Sequence, residues 1–454
     1  MKNKLSEKLY FPLSKYLRVF ARAVLRRWRP TIIAVTGSAG KSTAHALIYT
    51  LFQKKYRIQR SHKANSAFGV PLDILGIHLY RYGFRQWLSA LLLAPLYASA
   101  LILFPPRAKF YLVELDVDRP GEMEFFTKFL HPKVIFWVSS SATHTANFDT
   151  LAKKQNVSSA DLVAEEFAKL LKHAGKKTLA LLNADSRTLF KAVGKITNGA
   201  KLYLREGQGR YSFQEWQIMR KRTVFKLVVD NETIMLDLPY IVPRNFGYTA
   251  LALFVLGKRY GFTNNDISQT LAEYISLPGR TSLLSGIHET RILDSTYNSS
   301  AGSVISLLEV LHALPGSRKI AVLGDMRELG VLAQSEHEAI AQELLKYRFE
   351  HVVLVGPLMN EFVAPKLQSA GYDETSLHTF TNSYQAGLFI KERLIKAGDS
   401  LLVKASQNTL YFELIVEMLL ADKKDVNLLC RREPIWEAKR AEIKQEFYNS
   451  LTPQ

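Results

Sequence analysis

A phosphate-binding type of loop near the start of the chain constrains the fold more than any other feature. The apolar run 32–35 before it predicts a buried strand, and residues 44–52 after it predict a helix. A strand, a glycine turn and a helix N-terminus together direct backbone N–H groups at an anion. The sequence therefore predicts an α/β unit with an anion site at its first strand, built on eight residues: Thr36, Gly37, Ser38, Ala39, Gly40, Lys41, Ser42 and Thr43.

The loop is shorter than the general nucleotide-binding pattern. The first glycine of that pattern would fall on Val35, so the run reads Thr-Gly-x-x-Gly-Lys-Ser. Lys41 supplies a positive charge for the β- and γ-phosphates, and the hydroxyl of Ser42 suits a Mg²⁺ shell. The loop indicates nucleotide binding and does not by itself identify a reaction.

Composition limits the partners and the compartment. The 454 residues carry a formal net charge of +19, which suits nucleotides, phosphorylated substrates or a membrane surface. No nucleic-acid motif is recognisable, so we expect no nucleic-acid partner. The single cysteine, Cys430, excludes an internal disulfide and a multi-cysteine zinc site, and it fits a reducing compartment. We therefore expect a cytoplasmic protein.

The first thirty residues form a strongly basic segment. They contain nine Lys and Arg residues against the single acid Glu7, and Pro30 ends the segment. Its periodicity predicts an amphipathic helix. Either this helix lies on an anionic membrane, or its apolar face covers the domain that follows; periodicity does not separate the two. The apolar side carries Leu13, Leu17, Phe20, Val24 and Trp28, and the basic side carries Lys15, Arg18, Arg22, Arg26 and Arg29.

A second apolar segment, residues 87–104, contains no charged residue and is long enough to span a membrane. Ser89 and Pro95 weaken a span, and a single crossing would separate Lys41 from everything after Phe104. We expect a buried or interfacial helix, or a hairpin broken at Pro95. The partners predicted from these segments include the inner face of a membrane, contacted peripherally through residues 1–30 and 87–104.

Apolar strand-like runs alternate with helical runs along the rest of the chain, which is typical of a parallel α/β sheet. Three polar residues, Lys41, Glu114 and His144, each follow such a run. Ligands collect at the carboxyl ends of parallel strands, so these residues are expected to share one site. We divide the chain into a basic N-terminal helix (1–30), a central domain (31–277) and a C-terminal α/β domain (278–454).

Several stretches in this order resemble the Mur ligase family, and within it the ligases that add D-alanyl-D-alanine. The run 323–330, Leu-Gly-Asp-Met-Arg-Glu-Leu-Gly, is the most specific of them, and the phosphate loop is the least. The resemblance covers residues 30–415 and rests on the phosphate loop, residues 65–71, Glu114 with 120–122, His144, Gly279-Arg280, 294–298, 323–330 and 404–407.

The resemblance implies a fold and an activity. The fold would be a P-loop central ATPase domain with a parallel-rich sheet, followed by a smaller Rossmann-like α/β domain. The activity would be ATP- and Mg²⁺-dependent amide-bond formation in peptidoglycan precursor synthesis. A substrate carboxylate would attack the γ-phosphate to give an acyl phosphate, and an amine would then displace phosphate. Nucleotide and cell-wall precursor are the substrates it implies.

The resemblance also implies residue roles. Lys41, Glu114 and His144 would be catalytic, and Ser42, Glu114 and His144 would hold Mg²⁺. The phosphate loop would bind ATP together with Arg280 and Asp294. The remaining matched residues would bind the substrates: Asn65, Asn298, Asp325, Lys404 and Ser406.

Two departures from the family pattern raise alternatives. Few residues precede the first strand, too few for the usual UDP-binding domain, so we expect substrate capture through the basic helix or a helper protein. The carbamylated lysine of the family falls on Phe167, and Lys169 would serve only after a shift of two residues. A ligase acting on a lipid-linked cell-wall precursor and a non-catalytic nucleotide-binding scaffold at the membrane therefore stay open. At a third position, Tyr248 could stack on adenine.

Overall fold

Two β-sheets organise the chain, and helices cover both faces of each. The structure, a computed structural model, describes residues 4–62, 64–79, 84–194, 196–316, 318–406 and 409–451. The expected mixed α/β fold with parallel-rich sheets is confirmed. Gln407, which belongs to the last of the matched stretches, lies outside the described residues.

The first unit contains nine strands and ten helices within the described residues. Its elements in chain order are α1 Lys4–Trp28, β1 Thr31–Thr36, α2 Lys41–Gln53, β2 Ile58–Arg60, α3 Gly69–Ile74, α4 Phe84–Leu103, β3 Phe110–Leu115, α5 Glu122–Thr127, β4 Val134–Trp137, α6 Asp149–Gln155, α7 Ser159–Lys172, β5 Leu179–Asn183, α8 Arg187–Val193, β6 Ala200–Glu206, β7 Tyr211–Met219, β8 Arg222–Val229, β9 Glu232–Leu238, α9 Phe246–Arg259 and α10 Asn264–Ala272.

The sheet of this unit has the order β2-β3-β1-β4-β5-β6-β7-β8-β9. Pairing is parallel from β2 to β7 and antiparallel between β7, β8 and β9. The phosphate loop follows β1, which lies between β3 and β4, so Glu114 and His144 come from the two neighbours of β1. This topology brings the three predicted residues to one edge of the sheet.

Alternate residues of β1 belong to two different apolar cores. Ile33 and Val35 pack with α2 on one face, and Ile32 and Ala34 pack with α1 on the other. The apolar side of α1 is buried in this second core, with Leu17 fully buried. The apolar face of α1 therefore covers the domain that follows it. That face is not available to lie on a membrane, which was the other interpretation that periodicity left open.

Helix α4 is continuous through Pro95, so the hairpin broken at this residue is wrong. Proline cannot donate to the carbonyl four residues earlier, which is that of Leu91. The hydroxyl of Tyr16 in α1 donates to this carbonyl at 3.2 Å and replaces the missing bond. By length and composition, residues Gln86–Leu103 form a helix that could cross a membrane.

The second unit contains six strands and six helices within the described residues. They are β10 Ser282–Ser285, β11 Arg291–Ser295, α11 Ala301–Ala313, β12 Lys319–Gly324, α12 Ala333–Tyr347, β13 His351–Val355, α13 Ala364–Ser369, β14 Leu377–Phe380, α14 Ser383–Phe389, β15 Ser400–Lys404, α15 Glu413–Leu419 and α16 Pro434–Leu451.

The second sheet has the order β10-β11-β15-β12-β13-β14 and is parallel except for β10. Its three central strands, β11, β15 and β12, end at Ser295, Lys404 and Gly324, so the residues around these ends share one edge. The predicted boundary at 277–278 falls between α10 and β10. The three-part division of the chain stays a prediction, although α1 packs into the same core as β1.

Candidate active site

The phosphate loop is held against the segment that follows β4. The amide of Ser38 donates to the Ser139 carbonyl at 3.0 Å, and the amide of Ala39 donates to the Ser139 hydroxyl at 2.9 Å. Gly37 has φ +126°, and a Cβ there would lie 2.5 Å from the Ser139 carbonyl oxygen. Only glycine fits this close approach. The loop is thus preorganised with the N-terminus of α2 open for an anion.

Lys41 is buried beside a carboxylate that we did not predict as a site residue. Its Nζ donates to the Gly37 carbonyl at 2.6 Å and lies 3.1 Å from Oδ2 of Asp116. Burial alone would raise the pKa of Asp116, but the charges of Lys41 and His144 outweigh it and hold that pKa below its usual value. The amide of Asn65 also donates to Asp116, at 3.3 Å. The predicted substrate residue Asn65 therefore lies next to Lys41.

Oxygen donors gather around this lysine. The Ser42 hydroxyl lies 3.4 Å from Oε1 of Glu114, and the buried hydroxyl of Thr36 donates to the Leu115 carbonyl at 3.0 Å. Asp116, Asp118 and His144 each offer a ligand atom, and these atoms lie within 4.8 Å of one another. Carboxylates and a hydroxyl are the ligands that Mg²⁺ prefers, so the donor set fits this ion. The two aspartates just beyond β3 were the sequence signal that we missed.

His144 has a left-handed backbone (φ 56°) and two acidic neighbours. Its Nδ1 lies 2.6 Å from Oε2 of Glu328 and 3.4 Å from Oδ1 of Asp118. Burial would lower its pKa, but the hydrogen bond with Glu328 and the charges of Asp116 and Asp118 outweigh burial and raise the pKa to about 9. The structure therefore places His144 at a junction of both units, since Glu328 comes from the second.

The run 323–330 docks on the loop that follows His144. The amide of Ala146 donates to the Glu328 carbonyl at 3.1 Å, and the Thr145 hydroxyl donates to the Leu329 carbonyl at 2.8 Å. Gly330 has φ +56°, and a Cβ there would lie 2.8 Å from the Cα of Ala146 and would meet the Asp149 carboxylate. These contacts explain why glycine stands at the end of the run.

A cavity of about 260 Å³ lies between the two units. Walls from the first unit include the phosphate loop at Ser38–Gly40 and Thr43, and walls from the second include Arg280, Asn298 and Lys404. A smaller cavity of about 20 Å³ adjoins it, shares Asn298 in its wall, and reaches His144 and Glu328. Clefts between domains are common ligand sites.

Two cations of the second unit face this cavity. The guanidinium of Arg280 lies 4.3 Å from the ring centre of Tyr297. Lys404 is buried, and its Nζ donates to the Asn298 carbonyl at 2.9 Å. Burial and the charge of Arg280 lower the pKa of Lys404 to about 7. Both predicted residues thus line the cavity wall opposite the phosphate loop.

Three predicted residues of the second unit lie behind the cavity wall, among the residues that the structure describes. Asp294 is fully buried and accepts from the amide and the hydroxyl of Thr296, and burial raises its pKa to about 6. Asp325 accepts from the Met359 amide at 2.8 Å. Ser406 donates to the Ser299 carbonyl at 3.3 Å. In this arrangement their side chains support the wall and do not form it.

The position predicted for a lysine ligand is part of the core. Phe167 is buried, and its ring centre lies 5.7 Å from that of Trp137. Lys169, the alternative, pairs with Glu166 at 2.6 Å. Neither residue joins the cluster around His144. The Tyr248 ring lines the cavity, while its hydroxyl donates to Asp185 at 2.6 Å.

Comparisons with known proteins agree with this geometry. Residues 279–407 match the family described as Mur ligase, glutamate ligase domain. The UDP-N-acetylmuramoyl-tripeptide–D-alanyl-D-alanine ligase of Borreliella burgdorferi is 24% identical over 349 residues, which are 75% of this chain. The chain spans 66% of the length of that relative.

Two solved structures share the fold over most of the chain. MurF from Acinetobacter baumannii has a TM-score of 0.71 at 18% identity and covers 88% of this chain and 79% of its own. MurF ligase from Thermotoga maritima, solved in complex with ADP, has a TM-score of 0.70 at 22% identity and covers 91% and 84%. The chain therefore carries a Mur ligase C-terminal domain and has the fold of the MurF-type Mur ligases across both of its units.

Proposed function

We propose that this chain is an ATP-dependent amide ligase of peptidoglycan precursor synthesis, which joins D-alanyl-D-alanine to a muramoyl tripeptide. One observation carries the proposal: a single cavity is lined by the phosphate loop of the first unit and by Arg280 and Lys404 of the second. We take the substrates of the proposed reaction from the names of the related ligases. A reducing compartment fits the lone thiol of Cys430, so we place the reaction in the cytoplasm.

The first step assigned to this site is attack of the tripeptide carboxylate on the γ-phosphorus of ATP. The bond to ADP breaks and an acyl phosphate forms. Such transfers need positioning and charge neutralisation more than covalent help from the protein. Lys41 and the open N-terminus of α2 meet that need at the β- and γ-phosphates. The buried position of Lys41 excludes water from its ammonium group, and this exclusion strengthens the interaction of the ammonium with the phosphates.

In the second step the amine of D-alanyl-D-alanine attacks the acyl carbon, and inorganic phosphate leaves. The smaller cavity between Asn298, Arg327 and Glu328 adjoins the nucleotide cavity, so we assign the incoming amine to this side. Arg280 presents positive charge to the anionic ligands, and Lys404 does so in its protonated form. The same proposal includes a separate helper protein that captures the precursor. The assay described below contains no helper, so turnover by the purified chain alone would show that none is needed.

Mg²⁺ completes the proposed site. Ser42 and Glu114 would hold one ion, and His144 with Asp116 and Asp118 would contribute to a second. When bound, the metal would neutralise charge on the phosphates and polarise the transferred group. The two aspartates provide carboxylate oxygen near His144, where the family pattern would use a lysine carbamate. Asp118 and Asp116 therefore favour a working ligase over the scaffold that Phe167 suggests.

The test measures ADP release by the purified chain supplied with ATP, Mg²⁺, UDP-muramoyl tripeptide and D-alanyl-D-alanine, together and singly. Turnover that requires both substrates supports the proposal. Release that depends on a lipid-linked acceptor supports the ligase for lipid-linked precursors, and ATP binding without release supports the scaffold. Lys41→Ala should abolish turnover, whereas Lys54→Ala, which changes an exposed lysine at the end of α2, should leave it unchanged.

A further inference from the structure

Helix α4 presents a largely apolar surface to solvent, which Ser89 and Ser99 interrupt. Three of its leucines illustrate this, since Leu92 is 67% exposed, Leu96 66% and Leu103 70%, and Phe104, which follows the helix, is 80% exposed. Patches of this kind mark interaction sites. We call this surface the leucine face, and it consists of Leu88, Leu92, Leu93, Leu96, Tyr97, Leu103 and Phe104.

The opposite side of α4 explains why the leucines point outward. Ala90, Ala94 and Ala98 recur every four residues and are buried in the core that α1 shares. Small side chains let the helix approach the domain closely, and the larger ones are left outside. The outward direction of the leucine face is therefore fixed by packing.

The topology excludes a membrane crossing by this helix. Strand β2 precedes α4 and strand β3 follows it, and the two strands are parallel neighbours in one sheet. The chain thus leaves the sheet and returns to it on the same side of any membrane. A surface helix lying in the plane of a bilayer satisfies both the topology and the exposure.

Helix α1 lies alongside and adds positive charge. Its Tyr16 hydroxyl donates to the Leu91 carbonyl of α4, and its Trp28 donates to the Ala108 carbonyl beyond the end of α4 at 2.7 Å, so the two helices pack against each other. Lys15, Arg22 and Arg26 are exposed on α1, and in the described part of the chain none of them forms an ion pair. Unpaired cations beside exposed leucines are complementary to acidic lipid headgroups over acyl chains.

We propose that the leucine face and the cationic row of α1 dock this protein on a bilayer that contains anionic lipid. The leucine face enters the boundary between headgroups and acyl chains, and Lys15, Arg22, Arg26 and Arg27 meet the phosphates. Helix α2, which begins at the phosphate loop, packs on the opposite face of the first sheet from α1 and α4, so docking leaves the nucleotide cavity accessible. This surface is independent of the reaction proposed above.

The test is flotation of the full chain with vesicles of phosphatidylcholine, either alone or mixed with phosphatidylglycerol. The wild type should float with the anionic vesicles, and at high salt its binding should fall. The double change Leu92→Asp with Leu96→Asp should lower binding by roughly tenfold or more, because buried apolar area is lost. The double change Arg22→Glu with Arg26→Glu should lower binding to anionic vesicles by about tenfold or more.

Met235→Asp is the matched control, because Met235 is 60% exposed on the edge strand β9 and lies outside this surface. It should float like the wild type. All variants should keep the wild-type unfolding midpoint, and the charge reversal keeps the test decisive if the leucine variant fails to fold. A wild type that stays at the bottom of the gradient overturns the proposal. A leucine variant that floats with the anionic vesicles as well as a floating wild type also overturns it. Concentration-dependent dimers lost in the leucine variant would assign the face to a second copy instead.

Discussion

The ammonium of Lys41 lies 3.1 Å from the carboxylate of Asp116, and both groups are largely buried. The pair joins the phosphate loop after β1 to the segment after β3, at the point where a nucleotide would place its phosphates. Asp116 offers Lys41 a counter-charge, and it also belongs to the cluster that fits a metal ion. The negative charge of Asp116 should therefore weaken the binding of the ATP phosphates when no metal is present. When Mg²⁺ is bound, the same charge should strengthen that binding by helping to hold the ion.

Asp116→Asn separates these two roles. Without Mg²⁺, the variant should bind ATP more tightly than the wild type, by about tenfold, because a negative charge beside the phosphates is gone. With Mg²⁺, its turnover should fall by roughly tenfold or more because a metal ligand is weakened. Calorimetric titration with and without chelator, together with ADP release, measures both. Equal metal-free affinity in the two proteins would contradict the role given to Asp116.

Gly330→Ala tests the docking of the second unit on the His144 loop. The new Cβ would lie 2.8 Å from the Cα of Ala146 and meet the Asp149 carboxylate. We expect turnover to fall by about tenfold or more because catalytic positioning is disturbed, while both units stay folded, since the clash is confined to their contact. Gly371→Ala is the matched control, because Gly371 also has positive φ (+72°) and nothing lies within 4 Å of its Cβ. Equal activity of the two variants would remove the functional importance of this contact.

Histidine 45 should make stability depend on pH. Burial lowers its pKa from 6.5 to about 4 on the inner side of α2. Because the folded pKa is depressed, its contribution to stability is present above pH 6.5 and is lost as pH falls toward 4; the full loss is about 3 kcal/mol. In denaturant titrations across this window, His45→Gln should show a shallower loss than the wild type. The exposed His288→Gln should keep the wild-type slope, and a His45→Gln slope equal to it would contradict the assignment.

Phe167 should act through packing alone. Phe167→Ala should lower the free energy of unfolding by about 3–5 kcal/mol because it leaves a cavity against Trp137. Phe190→Ala should change it by less than about 0.5 kcal/mol, since that ring is 53% exposed. Phe167→Lys should destabilise the fold without raising turnover at any bicarbonate concentration. A rise in turnover would show that a carbamylated lysine can still reach the metal from this position.

Regular apolar strands were the most predictable part of this fold. Residues 134–138 and 320–323 are continuous apolar runs, and the structure forms β4 and β12 there. The three-residue strand β2 has no such pattern. It forms because it pairs with its neighbour β3, and its own sequence does not show that pairing. Pro95 favoured a break in the helix that the structure does not show. The sequence alone does not reveal that the Tyr16 hydroxyl bonds the Leu91 carbonyl, which Pro95 leaves without a helical partner.

The site was predictable where residues follow one another and not where distant segments meet. The phosphate loop and His144 follow two adjacent strands, and Glu114 lies near the end of a third, so these strand ends predicted a common location. Asp116 was visible in the sequence, but its contact with Lys41 depends on the register of β1 against β3. Glu328 reaches His144 from the second unit, and nothing local to either residue indicates that contact. Asp294 matched a family motif, yet burial places it behind the cavity wall.

The most direct test of the central claim follows an oxygen atom. The tripeptide substrate is prepared with isotope-labelled oxygen in its terminal carboxylate, and the phosphate released during turnover is analysed by mass spectrometry. If the carboxylate attacks ATP at the Lys41 loop, an oxygen of that carboxylate leaves with the phosphate, so labelled phosphate should appear in proportion to ADP. ADP release accompanied by unlabelled phosphate would contradict the acyl-phosphate ligase.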